Sequence, residues 1–155
     1  CFGPGLHQPQ QRPLTGQWTQ ALSRCLDQRQ ICPQCGQETF PDPAASGPCW
    51  HCGAPLPRPL QLQLPQGRIS AAAGNELLPH HWDALAPLAL EHPLARLVSH
   101  PDNPGVLGLQ NLSAEPWQGQ LTNGQTIALD PGKTCNLAAL QQLHSGAGPI
   151  TVLRP

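Results

Sequence analysis

The sequence has no methionine, and its only aromatic side chains besides histidine are four tryptophans and two phenylalanines. Charged residues make up 11% of it, with a formal net charge of -1. Each shortage excludes something. No basic patch is available to neutralise phosphates, which argues against nucleic-acid binding as the main role. So few aromatic rings also leave little material for stacking on bases. No stretch approaches the run of about eighteen apolar residues that a transmembrane helix needs, so no membrane span is expected. Residues 1–12 contain no hydrophobic run resembling a signal peptide, and the expected compartment is the cytoplasm. A translated protein begins with methionine, whereas this chain begins at Cys1, so we expect a piece of something longer.

Proline and glycine are abundant, at twenty and fifteen of 155 residues, which implies many turns and short elements. The length suits one ordinary domain or two small ones. Seven cysteines are present, and four of them form a pattern. Cys32-Pro33-Gln34-Cys35-Gly36 and Cys49-Trp50-His51-Cys52-Gly53 are two C-x-x-C pairs with thirteen residues between them, each followed by glycine. A two-residue gap lets both sulfurs of a pair reach one metal from a tight turn, and four thiolates suit tetrahedral Zn²⁺. Glycine after the second cysteine can take φ > 0, so that backbone N–H groups approach the sulfurs. The spacing predicts a zinc ribbon with Cys32, Cys35, Cys49 and Cys52 as ligands. Two alternatives fit less well. A disulfide framework suits a secreted chain with an even cysteine count, and a thioredoxin-like redox site needs one C-x-x-C beside a βαβ pattern. A closed four-sulfur site leaves no open position for water, so the metal is expected to be structural. It would contribute on the order of 10–16 kcal/mol of apparent folding free energy to a segment too short for its own core. Trp50 is expected to pack over the metal site or a neighbouring domain.

Ahead of the cysteines, Trp18, Leu22, Cys25 and Leu26 recur at helical spacing on one face, with Thr15 as the expected N-cap and Arg24 and Arg29 in the later turns. This predicts a helix from about 15 to 29, with Cys25 as a small buried hydrophobe. An apolar stripe of this kind must be covered, and nothing earlier in the chain can cover it, a second reason to expect a larger preceding domain. Between the cysteine pairs, 38–40 reads as a short strand and 41–48 as a turn-rich loop. Residues 55–59 form a proline-rich linker of extended geometry. From residue 60 the texture becomes alternating. Candidate strands are 60–64, 68–72, 94–98, 106–109, 117–121, 126–129, 134–137 and 150–153, separated by turn signals such as Pro65-Gln66-Gly67 and Asp130-Pro131-Gly132. Asn123-Gly124 suggests a hairpin closed by a type I′ turn. Residues 77–90, interrupted by Pro79 and Pro87, read as loop with one short helical turn. The fold class is therefore mainly β: an N-terminal helix, a small zinc ribbon, then an antiparallel β-sandwich.

Two resemblances extend this. Arg12-Pro13-Leu14-Thr15 followed by Trp18 and Ala21-Leu22 resembles the end of a eukaryotic-type serine/threonine protein kinase domain. Phe2-Gly3-Pro4-Gly5-Leu6 through Pro9 is similar to the run before that motif in bacterial kinases that carry a C-terminal zinc ribbon. There C-P-x-C-G follows the helix within a few residues, as Cys32 does here. The resemblance implies that residues 1–30 end a kinase C-lobe, with Arg12 pairing a glutamate outside this chain. Residues 31–54 are then the ribbon, 55–59 the linker and 60–155 a docking domain. Kinases of this kind are encoded beside a metal-dependent phosphatase and a von Willebrand-type protein, which makes these, with the kinase domain in cis, the expected protein partners.

The second resemblance is to forkhead-associated (FHA) β-sandwiches. Asn123-Gly124, Gly132-Lys133 and Gly146 before a final strand resemble the later strands of that family. Gly67-Arg68 would supply the phosphothreonine-reading arginine, but the family's Ser-x-x-His has no counterpart before Asn123. The implied role is a docking or regulatory shell, with a phosphothreonine adaptor as the alternative and a nucleic-acid-binding ribbon as a third reading that the charge balance disfavours.

No catalytic residues are assigned. The chain has no P-loop, kinase glycine-rich loop, H-R-D or D-F-G, and Cys135 and His144 are separated by eight residues with no elbow motif or activating group. His80-His81, His92 and His100 lack ligand spacing and read as surface or loop residues. Asn111-Leu112-Ser113 matches a glycosylation sequon that a cytoplasmic chain would not use.

Overall fold

The computed structural model describes residues 8–40 and 47–155. Residues 2–7 of the run that precedes the kinase-like ending, and most of the 41–48 loop, therefore lie outside the described residues. The fold is mainly β. After a 3₁₀ turn at Pro9–Gln11 come α1 (Thr15–Asp27) and the two short strands β1 (Gln30–Ile31) and β2 (Glu38–Thr39). Then follow β3 (Gln61–Leu64), β4 (Gly67–Ser70), β5 (Glu76–Leu77), a 3₁₀ turn at Pro79–His81, β6 (Ala95–Ser99) and β7 (Leu107–Asn111). The chain closes with β8 (Trp117–Leu121), β9 (Thr126–Leu129), β10 (Thr134–Asn136), β11 (Leu140–Ser145) and β12 (Gly148–Leu153).

Strands β3 to β12 form two antiparallel sheets. One has the order β4-β3-β12-β11-β8-β9 and the other β10-β7-β6-β5. Strict alternation builds the first: Leu62 and Leu64 of β3 and Ile150 and Val152 of β12 are buried, while Gln61, Gln63, Thr151 and Leu153 stay partly exposed. The two sheets share one core, in which Leu62, Ile69, Leu143 and Ile150 of the first meet Leu77, Leu97 and Leu109 of the second. Trp82 and Trp117 meet edge to face at its side, with ring centroids 6.4 Å apart. Pairing of β3 with β12 joins the two ends of the sandwich, Gln61 opposite Leu153.

The expected strands are present within a residue or two, and three more appear. Two of them, β1 and β5, are only two residues long. More telling is β11, which lies in the middle of the larger sheet between β12 and β8. Its buried residues Leu140 and Leu143 are three apart, because the register with β8 shifts between Leu140 and Gln142. The extra residue, Gln141, is a bulge, and it hides the period of two that marks a strand. The 122–124 turn also differs from the expected type I′. Gly124 has φ +84° while no non-glycine residue among the described residues has positive φ, and the Leu121 N–H bonds to the Gln125 carbonyl. The hairpin therefore closes through a three-residue loop with glycine alone in the left-handed position.

Helix α1 stops at Asp27, short of the expected 29. Its N-cap is Leu14 instead of Thr15, with the Leu14 N–H donating to Gln17 Oε1 at 2.8 Å. None of its residues is buried. Trp18, Leu22 and Leu26 are 46%, 58% and 53% exposed, and Cys25 is exposed, contrary to its expected burial. What holds the helix is its C-terminal end. Gln28 Nε2 donates to the Arg68 carbonyl of the edge strand β4, and Arg29 links three segments. Its Nε donates to Asn75 Oδ1 at 2.7 Å, one guanidinium nitrogen to the Ala73 carbonyl at 3.0 Å and the other to Glu38 Oε1 at 2.9 Å. Among the described residues, no helix is long and apolar enough to cross a membrane.

Leu143, fully buried at the centre of the sandwich, gives the first prediction. Leu143→Ala is expected to cost about 2–5 kcal/mol, while Leu85→Ala, 92% exposed, stays within about 0.5 kcal/mol of the parent. Denaturant unfolding followed by tryptophan fluorescence measures both.

Candidate metal centre

The two cysteine pairs fold into copies of one turn. In the first, between β1 and β2, the Gly36 N–H bonds to the Cys32 carbonyl and the Cys32 N–H to the Gln37 carbonyl, both at 2.9 Å. In the second, the Gly53 N–H bonds to the Cys49 carbonyl at 2.9 Å and the Cys49 N–H to the Ala54 carbonyl at 2.7 Å. A bridge between Pro48 and Pro55 closes its base as β1 and β2 close the first. Gly36 and Gly53 take φ +72° and +71°, the left-handed geometry that lets the chain leave each turn. Trp50 Nε1 donates to the Glu38 carbonyl at 2.9 Å, tying the second turn to β2, while its ring stays 70% exposed.

The four sulfurs converge. All lie within 4.8 Å of one another, and the Cys32–Cys52 and Cys35–Cys49 separations are both 3.7 Å. A disulfide needs about 2.05 Å, so these are not cystines. A tetrahedron of thiolates bonded at about 2.3 Å to a central ion has edges of about 3.8 Å. The cage therefore fits a tetrahedral metal ion, with all four expected ligands in it. Among the described residues, the buried apolar cluster around the sulfurs is Cys32, Cys49 and Ala54, with Cys35 and Leu56 packed against them. This is too little to order the segment alone.

The two thiols of the first turn do not ionise alike. The Cys35 backbone N–H bonded to the Cys32 sulfur lowers its pKa to about 7, against the opposing effect of burial. The Gln37 backbone N–H favours the Cys35 thiolate, but burial and the three neighbouring sulfurs outweigh it and push that thiol up to about 12.

The remaining sequence candidates separate in space. Cys135 lies on β10 and His144 on β11, in different sheets, and burial pushes the Cys135 thiol up to about 11, the opposite of an activated nucleophile. Asn111 is fully buried, with Nδ2 donating to the Glu115 and Leu129 carbonyls, so it cannot accept a glycan. His92 and His100 are exposed as expected, but His81 is buried and His80 partly so. Both adjoin Asp27, fifty-four residues before His81, a grouping no sequence spacing announces. No protein family matches this chain, and neither a curated protein nor a solved structure matches it.

Two predictions follow from the cage. Cys49→Ser is expected to remove the tightly bound Zn²⁺ equivalent of the cage, measured by metal analysis after gel filtration, while Gly36→Ala retains that metal but loses about 1 kcal/mol of stability through its left-handed backbone. Metal binding at pH 8 is expected to release at least one proton per ion, because Cys35 is still a thiol there. Acidification below the pKa of Cys32, about 7, lowers the affinity further as that thiolate is protonated too. Calorimetry in buffers of different ionisation enthalpy counts the protons.

Proposed function

We propose that the cage holds Zn²⁺ as a structural ion and that this chain is the non-catalytic regulatory and docking tail of a bacterial serine/threonine protein kinase. The observation that carries this reading is the uncovered stripe of α1, with Trp18, Leu22 and Leu26 all about half exposed immediately before the cysteine cage. A helix with a continuous apolar face and no buried residue lacks its packing partner. The resemblance of residues 12–22 to a kinase ending supplies one, the C-lobe. In this reading zinc orders the ribbon, Arg29 holds it against the sandwich, and the sandwich docks a protein partner such as the phosphatase or von Willebrand-type protein. Four sulfurs saturate the ion, so it supplies folding energy and no reaction step.

Genomic DNA immediately upstream of codon 1 is expected to encode an in-frame kinase domain. In the joined protein the stripe becomes core, and Leu22→Ala costs about 2–5 kcal/mol. In this chain alone the same change stays within about 0.5 kcal/mol. Equal, small costs in both proteins would refute lobe packing. The adaptor reading rests on Arg68, exposed beside the turn joining β3 to β4, where its Nε donates to Gln63 Oε1 at 2.8 Å. Calorimetry with phosphothreonine peptides separates the two: binding lost in Arg68→Ala favours the adaptor, and no binding favours the docking tail.

A further inference from the structure

A second group of metal-ligating side chains lies where the end of α1 meets the sandwich. Asp27, His80 and His81 each bring a ligand atom within 4.8 Å of the others. His81 is only 5% exposed, and its Nε2 lies 3.1 Å from Asp27 Oδ1. The rings of His80 and His81 are 4.0 Å apart between centroids. Both ring nitrogens of His80 are shielded from solvent, and neither has a hydrogen-bond partner. At least one of them carries a proton or a lone pair with nothing to receive it, an arrangement that native proteins keep only for a reason such as a bound ion or water. Beside the cluster is a cavity of about 150 Å³, lined by Asp27, His80, Ser23, Glu76, Leu26 and Leu88. It has room for several water molecules.

We propose that Asp27, His80 and His81 form a second metal site, for a divalent transition ion of the zinc class, that clamps the end of α1 to the sandwich. Two imidazoles and one carboxylate are a nitrogen-rich donor set that suits zinc, nickel or copper and disfavours magnesium and calcium. Three protein ligands leave a fourth position open toward the cavity for water. One rearrangement accompanies loading. His81 Nδ1 accepts the Leu78 N–H at 2.9 Å, so Nε2 carries the proton and donates it to Asp27. When Nε2 binds the ion, that proton moves to Nδ1 and the Leu78 bond opens. The cysteine cage offers four ligands against three and breaks no backbone hydrogen bond, so the second site is the weaker of the two.

The test is a Zn²⁺ titration of the whole chain by calorimetry, with metal analysis of the product. Two equivalents per chain are expected, the second at least tenfold weaker than the first. His80→Gln and Asp27→Asn should each weaken the second equivalent at least tenfold and leave the first in place. Saturation at one equivalent overturns the proposal, as does a second equivalent that neither variant alters. Should either variant fail to fold, the ring nitrogen resonances of His80 and His81 in the unaltered chain decide. Both should shift as the second equivalent is added, and resonances that stay in place count against the site.

Discussion

Four sulfur atoms within 4.8 Å of one another cannot all be thiolates unless a cation sits among them. That constraint governs the first third of the chain. Its two turns are ordered by a few backbone hydrogen bonds and by almost no apolar burial, so an ion bound by the four sulfurs would supply most of their folding free energy. The amide groups of Cys35 and Gln37 already point at sulfur, which lowers the cost of gathering the charge. The sandwich needs no such help. It has a continuous core of leucine, isoleucine and tryptophan shared between two sheets.

Arg29 connects the two regimes. It follows α1, precedes the first cysteine turn, and bonds at once to Glu38 beyond that turn and to Asn75 and Ala73 of the sandwich. Asn75 answers by donating to the Arg29 and Ser70 carbonyls. A planar guanidinium that satisfies three acceptors fixes orientation as well as distance. The cage, the helix end and the connection between β4 and β5 therefore meet around one side chain, and the 55–59 stretch is not the only tie between ribbon and sandwich. The apolar face of α1 is left about half exposed, and that is why a partner is proposed for it.

Much of this was legible in advance. The two-residue gaps and following glycines identify the four sulfurs because a metal-binding turn is local, and alternation marks β3 and β12 because side chains on a strand change faces at every step. Legibility failed where local pattern and tertiary role part company. The bulge at Gln141 spaces Leu140 and Leu143 like residues of a helix, so the central strand β11 passed unseen. Glu76–Leu77 is too short to show any period. His80 and His81 sit among prolines and looked like loop residues, yet the 3₁₀ turn at Pro79–His81 turns His81 inward against Asp27.

What the amino-acid order determined alone was the set of contacts reached within a few residues: the sulfur cage turns, the hairpins and the two-sheet alternation. Those depend on backbone geometry over one turn or one pleat. The path of the folded chain decided the rest. It set Arg29 against Asn75 across forty-six residues and Asp27 against His81 across fifty-four, and it left the stripe of α1 uncovered. Such contacts depend on how whole elements stack, and no spacing within either segment encodes that.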